Sequence, residues 1–246
     1  MLILLSNDDG IDSPGIAALA EVLDDLGEVW VVAPDREQSA TSHSISLDRP
    51  LRGVELRPRW VAVNGTPTDC VYLAVNHLLP RKPNLVLAGI NKGPNVGDDV
   101  HYSGTVAAAM EGALLGVTSA AISHAGSAPF AFGGVARAAR IVTELIVGSG
   151  LPAGMLFNVN IPGGADAGSP RRLTRLGKRR YGNAVERRLD PRGRPYFWIG
   201  GDEIGFEHLE GSDGSAVAEG VVSITPIRLD MTDFGALEAL RSWERP

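Results

Sequence analysis

The chain has 246 residues, of which 44% are hydrophobic and 21% are charged, and its net charge is −6. These values are typical of one large globular domain with a substantial core. No apolar run approaches the roughly 18–20 residues that cross a bilayer, and Met1 leads into an apolar strand without a basic leader. The single cysteine, Cys70, cannot form an intrachain disulfide and favours a reducing compartment. We therefore expect a cytoplasmic protein in which Cys70 is a small buried hydrophobe.

Apolar runs alternate with amphipathic segments along residues 1–162. The runs that predict buried strands cover residues 2–5, 28–33, 85–88, 120–123 and 157–161. Helical spacing and capping signals predict helices that begin at Pro14 and at Pro67 and others that cover 105–115 and 135–147. Short pieces at 45–47, 51–56 and 60–63 predict an antiparallel flap beside the sheet. This alternation predicts an α/β fold, with a Rossmann-like parallel sheet between two helical layers.

The pattern changes after Gly163. Pieces at 171–176, 196–199 and 221–225 predict strands without helices of similar length between them, and residues 234–243 predict a closing helix. We therefore divide the chain into an α/β core, 1–162, and a β-rich C-terminal arm with a closing helix, 163–246, within one globular unit. Ten basic and two acidic residues lie between Arg171 and Arg194, so that this stretch carries +8 and the rest of the chain −14. Such an arm is expected to assist assembly or to steer anionic substrates.

An acidic turn follows the first predicted strand directly. Asp8 and Asp9 lie in this turn, at residues 6–10. In an open α/β sheet the turn lies at the carboxyl end of the strand, where ligands bind. The two carboxylates repel one another unless a cation lies between them, and neither has a Lys or Arg neighbour in the sequence. An ordinary solvated turn is the alternative interpretation. We interpret Asp8 and Asp9 as half of a site for a hard metal ion.

Two further loops are expected at the same edge of the sheet and also carry oxygen ligands. The candidates are Ser39, Thr41 and Ser42 after the second strand, and Asn91 and Asn95 after residues 85–88. Carboxylate, hydroxyl and amide oxygens suit Mg²⁺, Mn²⁺ or Ca²⁺ and argue against a thiolate-rich zinc site. Two loop histidines, His43 and His101, stand alone and are not included among the ligands.

A phosphate site is predicted beside the metal site. Ser103, Gly104 and Thr105 open a predicted helix, and the free amides of a first turn attract anions. With Asn95 they are predicted to bind a substrate phosphate, although many helices begin with such residues as plain caps. The chain has neither a Walker P-loop nor a GxGxxG fingerprint here. A metal beside a phosphate cradle predicts phosphoester hydrolysis, in which Asp8 or Asp9 also positions or deprotonates the attacking water.

Five segments of the chain resemble motifs of the survival protein E (SurE) family of bacterial nucleotidases. They are SNDDGIDSPG at 6–15, VVAPDREQSATSHSIS at 31–46, GTPTDCV at 65–71, GINKGPNVGDDV at 89–100 and YSGTVAAAMEG at 102–112. The resemblance continues more loosely through 181–200 and 219–232, whereas 125–150 and 201–218 match no motif of the family. Five motifs in the same order are far more specific than any one of them.

The resemblance implies a divalent-metal-dependent phosphatase, with 1–162 as its catalytic core. The implied substrates are nucleoside 5′- and 3′-monophosphates and short polyphosphate. The implied ligands of one Mg²⁺ or Mn²⁺ per subunit are Asp8, Asp9, Ser39 and Asn91, a choice between Asn91 and Asn95 that spacing leaves open. The resemblance also implies cytoplasmic homodimers or homotetramers that exchange C-terminal arms. We expect no membrane association and no stable nucleic-acid partner.

Three other classes of protein share part of this pattern. A signalling receiver module also places an acidic pair after its first strand, but it needs an aspartate and a lysine after later strands that this chain lacks. A haloacid-dehalogenase-type phosphatase needs Asp-x-Asp, which Asn7-Asp8-Asp9 does not supply. A polyanion-binding protein that uses residues 171–194 would bind RNA with a steep salt dependence and without hydrolysis.

Overall fold

The structure is a computed structural model, and it describes residues 1–180, 185–199 and 205–244. Its strands are β1 (Leu2–Ser6), β2 (Glu28–Pro34), β3 (Gly53–Arg57), β4 (Trp60–Val63), β5 (Leu85–Lys92), β6 (Ser119–Ala125), β7 (Leu156–Pro162), β8 (Arg171–Leu173), β9 (Arg179–Arg180), β10 (Val185–Leu189), β11 (Pro195–Ile199), β12 (Gly205–Phe206) and β13 (Val222–Ile227). Its α-helices are α1 (Pro14–Leu23), α2 (Pro67–Leu73), α3 (Gly104–Leu114), α4 (Phe132–Gly148), α5 (Asp213–Ala218) and α6 (Phe234–Ala239). Shorter helical turns cover Ala74–Leu78, Gly97–His101 and Arg241–Trp243.

A nine-stranded sheet runs through the described part of the chain, in the order β3-β4-β2-β1-β5-β6-β7-β13-β8. The strands from β4 to β7 pair in parallel, whereas β3 is antiparallel to β4 and β13 is antiparallel to β7. Strand β1 is buried along its whole length, as expected for a parallel strand that is covered on both faces.

Helices cover both faces of this sheet. Helices α1 and α4 pack on one face through residues such as Ile16 and Val135. Helices α2 and α3 pack on the other face, where Val71 and Val106 are buried. The three-layer α/β fold predicted from the sequence is therefore confirmed. Cys70 is fully buried in the second layer, and this burial raises the pKa of its thiol well above the ordinary value.

The predicted helix starts carry the expected capping contacts. The Ser13 hydroxyl accepts from the Gly15 amide at the start of α1. Thr66 and Asp69 form a reciprocal capping box at the start of α2, which satisfies two backbone donors there. Pro14 and Pro67 occupy first-turn positions, where the missing N–H removes no helical hydrogen bond.

The segment between β2 and α2 differs from its prediction in two respects. Residues 45–47 form no strand, because the amide and the hydroxyl of Ser46 both donate to Asp69, each at 2.8 Å, and tie the segment to α2. Strands β3 and β4 do form an antiparallel pair, but β4 also pairs in parallel with β2. The predicted flap is therefore an edge of the main sheet.

The C-terminal segment extends the same sheet. Strand β13 pairs with β7 in a register that places Ile224 opposite Val159, and β8 lies beside it. Strands β10 and β11 form an exposed antiparallel hairpin, and the closing helix is α6 followed by a separate helical turn. Helix α5 was not predicted. No helix in the described ranges is long and apolar enough to cross a membrane.

The order of the strands creates a crevice beside β1. The chain passes from β1 to β2 and β4 on one side, and then returns to β5 on the other side of β1. The loops that follow β1 and β5 therefore lie where the order of the strands reverses. This is the position at which open α/β sheets bind ligands.

Candidate active site

A cleft of about 370 Å³ lies at this edge, beyond the carboxyl ends of β1, β2 and β5. Five of the eight predicted site residues line it: Asp8, Ser39, Asn91, Asn95 and Ser103. The other three adjoin it, because Asp9 follows Asp8 in the chain and both Gly104 and Thr105 contact Asp8. Residues from three loops and one helix start are therefore brought together as the sequence suggested.

Asp8 is held by contacts with the start of α3 and with the loop after β2. Its side chain is buried and accepts hydrogen bonds from the hydroxyl and the backbone amide of Thr105, at the start of α3. Its carbonyl oxygen accepts from the Gln38 amide at 2.7 Å, which ties the second loop to the first. A Cβ on Gly104 would lie 2.8 Å from the Asp8 Cβ, so only glycine permits this approach.

Burial raises the pKa of Asp8 above its ordinary value, although the Thr105 hydrogen bonds oppose this shift. The neighbouring charge of Asp9 raises it further. Ionisation of the Asp8 carboxyl group therefore carries a desolvation penalty. A bound cation would offset that penalty, since opposite charge favours the ionised form.

Asp9 is paired in space with a lysine that its sequence neighbourhood did not reveal. Lys92 Nζ lies 3.4 Å from Asp9 Oδ1, and the Lys92 amide donates to Asp9 Oδ2 at 3.3 Å. Burial raises the pKa of Asp9, and the Lys92 charge opposes the shift. Lys92 is 83 residues from Asp9 in the chain, so the fold supplies the basic partner that the sequence neighbours of Asp9 do not.

The neutral ligand candidates are oriented by their own contacts. Asn91 donates through Nδ2 to the Gly93 carbonyl oxygen at 2.9 Å, which leaves Oδ1 as the oxygen that could bind a cation. The Ser39 hydroxyl donates to Glu37 at 2.8 Å and keeps its oxygen lone pairs for a cation. Within the described ranges no three His, Cys, Asp or Glu residues form a metal-binding group. The donor set, two carboxylates with hydroxyl and amide oxygens, fits a hard divalent cation.

The predicted phosphate-binding residues have different surroundings. Ser103 is the N-cap of α3 and accepts from the Val106 amide at 3.1 Å. Gly104 is the first residue of the helix, and its backbone amide belongs to the first turn. The Thr105 side chain is fully buried and donates to Asp8, so in this structure it holds the Asp8 carboxylate in place. The predicted contact of Thr105 with phosphate stays a prediction.

Asn95 lies in a buried polar network that sequence reasoning missed. Its carbonyl oxygen accepts from Asn158 and Asn160, at 2.7 and 2.9 Å, and its amide donates to Asn160 at 2.8 Å. Its side chain donates to the Ser123 hydroxyl at 2.8 Å. Asn158 and Asn160 are fully buried on β7 and point to the same face. Two asparagines at alternate positions of an apolar strand were the available signal.

The histidines omitted from the metal set have other contacts. His43 Nε2 lies 2.8 Å from Glu111 Oε2, and this pair links the second loop to α3. The carbonyl oxygen of His101 accepts from the Ser42 hydroxyl at 3.1 Å, and the carbonyl oxygen of Tyr102 accepts from the Ser42 amide at 3.2 Å. These contacts hold the loop that carries Ser39 against the start of α3.

The same architecture occurs in known proteins. The family described as survival protein SurE matches residues 3–183 of the chain. A protein named 5′-nucleotidase SurE from Anaeromyxobacter sp. (strain Fw109-5) is 54% identical over 249 residues and covers 100% of this chain and 97% of its own. The protein of that name from Myxococcus xanthus (strain DK1622) is 53% identical, with coverages of 98% and 93%. The crystal structure of the SurE protein from Aquifex aeolicus is 41% identical, covers all of both chains and superposes with a TM-score of 0.89. The chain therefore belongs to the survival protein SurE family.

Proposed function

We propose that this protein is a divalent-metal-dependent nucleotidase that hydrolyses nucleoside 5′-monophosphates to nucleosides and phosphate. The observation that carries the proposal is the single cleft in which Asp8, Asn91 and Ser39 lie beside the start of α3. An oxygen-rich cation site next to first-turn amides suits a phosphate ester. Full-length relatives that are named 5′-nucleotidase SurE support the substrate class.

Four residues would hold the metal: Asp8, Asp9, Ser39 and Asn91. We propose one Mg²⁺ or Mn²⁺ per subunit, because hard oxygen donors from Asp8, Ser39 and Asn91 line the same cleft. When bound, the cation supplies a Lewis acid that polarises a phosphoryl oxygen and lowers the pKa of a coordinated water. Thr105 would keep Asp8 in place for this role, since it donates twice to that carboxylate.

The protein's own groups would orient the ester and the attacking water. Asp8 or Asp9 would accept a hydrogen bond from the water and position it or remove its proton. The Gly104 amide, the Ser103 hydroxyl and Asn95 would surround the phosphoryl oxygens at the start of α3. Activity on nucleoside 3′-monophosphates and on short polyphosphate belongs to the same proposal, because both present the same phosphoryl group to the cleft.

The C-terminal arm is proposed to assemble the protein into homodimers or homotetramers. Tyr196, Phe197 and Trp198 lie on the β10–β11 hairpin and are all exposed to solvent in the single chain. Phe234 and Trp243, in the closing segment, are exposed as well. Exposed apolar groups of this size are typical of an interface. The buried single cysteine fits the cytoplasmic location that we propose for the protein.

Phosphate release from a panel of nucleoside monophosphates tests the proposal. The purified protein is assayed with Mn²⁺, with Mg²⁺ and with EDTA, and 3′-monophosphates and short polyphosphate are included. Release that requires the metal and favours 5′-monophosphates is the expected result. Absence of release with either metal would overturn the proposed function and favour a protein that binds phosphate without hydrolysis.

A further inference from the structure

One basic side chain of the stretch between Arg171 and Arg194 points into the cleft. Nine of its ten Lys and Arg residues are exposed, whereas the Arg179 side chain is only 12% exposed and lines the cleft with Asp8. The next residue on β9, Arg180, has a side chain that is 71% exposed, because successive side chains of a strand point in opposite directions. The sequence alone does not distinguish these two arginines.

Backbone contacts hold Arg179 at this position. Asp213 accepts from the amides of Gly97 and Gly177, each at 2.8 Å, and so joins the C-terminal segment to the loop after β5. The Arg179 amide donates to Asp98 at 3.2 Å. A Cβ on Gly97 would lie 2.9 Å from the Gly177 carbonyl, so the two backbones can approach only because residue 97 is glycine. The backbone position of Arg179 is therefore fixed by contacts with the loop after β5 and with the C-terminal segment.

The guanidinium group is oriented by one acidic partner. Arg179 Nε lies 3.1 Å from Asp99 Oδ2, and the Asp99 side chain is only 16% exposed. This ion pair lies on the Nε side of the guanidinium group, and four further N–H donors are carried on Nη1 and Nη2. A planar fork of this kind matches two oxygens of a phosphate group. Because burial and the ion pair with Asp99 restrict the Arg179 side chain, phosphate binding costs less conformational entropy.

The charges of the cleft favour a phosphate contact for this arginine. Asp8, Asp9 and Asp99 contribute negative charge, and Lys92 already contacts Asp9. A nucleoside monophosphate adds up to two further negative charges. Besides the proposed metal ion, a cationic side chain that is not paired with Asp8 or Asp9 would help to attract such a ligand.

We propose that Arg179 is a substrate-binding residue whose guanidinium donates to the phosphoryl oxygens of a phosphate monoester, and of the inorganic phosphate that is released. This inference rests on the proposed function, since it assigns a residue of the same cleft. Asp99 orients the guanidinium, and Asp213 holds the segment that carries it. The basic stretch thus supplies one group of the active site, while its exposed members remain on the surface.

Phosphate binding tests the inference without turnover. Inorganic phosphate is titrated into Mn²⁺-loaded wild-type protein, R179M and R180M, and heat release is measured. R179M is expected to bind phosphate at least tenfold more weakly, whereas the matched R180M is expected to bind within twofold of wild type. Both variants are expected to bind Mn²⁺ as wild type does, because neither side chain is a metal ligand. Equal phosphate affinity in R179M and wild type would overturn the inference.

Kinetics supply the second measurement. For a nucleoside 5′-monophosphate, R179M is expected to lower kcat/KM by about 100-fold, the effect of removing one donor to a transition-state anion. R179K keeps the charge beside Asp99 but not the fork, so it is expected to bind phosphate at least threefold more weakly than wild type. R179K also serves if R179M does not fold. A phosphate affinity of R179K equal to that of wild type would contradict bidentate binding by the Arg179 guanidinium group.

The two proposals fail in different ways. If wild-type protein hydrolyses no nucleotide with any metal, the proposed function fails, yet a specific loss of phosphate binding in R179M would still support the inference. If wild-type protein and R179M hydrolyse equally and bind phosphate equally, the proposed function stands and the inference is wrong.

Discussion

The Asp213 carboxylate accepts a hydrogen bond at 2.8 Å from the backbone amide of Gly97, which lies 116 residues earlier in the chain. Asp213 is fully buried and also accepts from the amides of Gly177 and Gly214, each at 2.8 Å. One side chain therefore satisfies three backbone donors. These contacts hold the C-terminal segment beside the loop after β5, where Arg179 lines the cleft.

Replacement of Asp213 by asparagine should destabilise the protein. The substitution places an NH₂ group among three N–H donors, and each buried donor that loses its acceptor costs roughly 1–3 kcal/mol. We expect the free energy of unfolding to fall by about 2–4 kcal/mol, as measured by urea denaturation. Asp233→Asn is the control, because Asp233 caps exposed helix α6 and asparagine caps equally well. Similar effects of the two substitutions would contradict the role of Asp213.

Asp8→Asn should remove metal binding and turnover while the fold is retained. The amide keeps the shape of the side chain but loses the charge that attracts a divalent cation. We expect phosphate release to fall by about 1,000-fold or more, since a metal contributes several kcal/mol to such reactions. Mn²⁺ should raise the Tm of wild-type protein but not of the variant. Asp12→Asn, at an exposed position in the next turn, is the control and should behave as wild type. An active Asp8→Asn protein would contradict the site.

Gly104→Ala should impair the site through Asp8. The new Cβ would lie 2.8 Å from Asp8 Cβ and 3.0 Å from Asp8 Oδ2, so the carboxylate must move. We expect kcat/KM to fall by roughly 10–100-fold, as displacement of a reacting group by about 1 Å can cost this much. Gly148→Ala, at the end of α4, meets no atom within 4 Å and should leave activity unchanged. Full activity in Gly104→Ala would show that Asp8 tolerates displacement.

Trp198→Ser should weaken assembly if the exposed hairpin forms the proposed interface. Trp198 is 60% exposed on β11, and large aromatic side chains contribute strongly to interfaces. We expect light scattering after size exclusion to give a lower mass than for wild-type protein at the same concentration. Leu47→Ser is the control, because Leu47 is 86% exposed and lies outside the C-terminal arm. An unchanged mass for Trp198→Ser would contradict this interface.

Sequence reasoning predicted the parallel core of the sheet, its two helical layers and the group of loops at one edge. Each of these depends on local features: an apolar run, a capping residue or a turn directly after a strand. The failure at 45–47 has the opposite cause, because Ser46 bonds to Asp69, 23 residues later. Helix α5 escaped prediction because it is a single six-residue element, with little apolar periodicity to detect.

The sequence by itself determined which oxygen-bearing residues follow which strands, because the end of a strand and its turn are encoded by neighbouring residues. Only the tertiary structure decided that Thr105 donates to Asp8, that Lys92 pairs with Asp9, and that Arg179 is turned inward. These partners lie more than 75 residues apart in the chain, and no local period relates them. Packing of the helices and of the C-terminal segment on the sheet brings them together, and burial then makes their charges interact strongly.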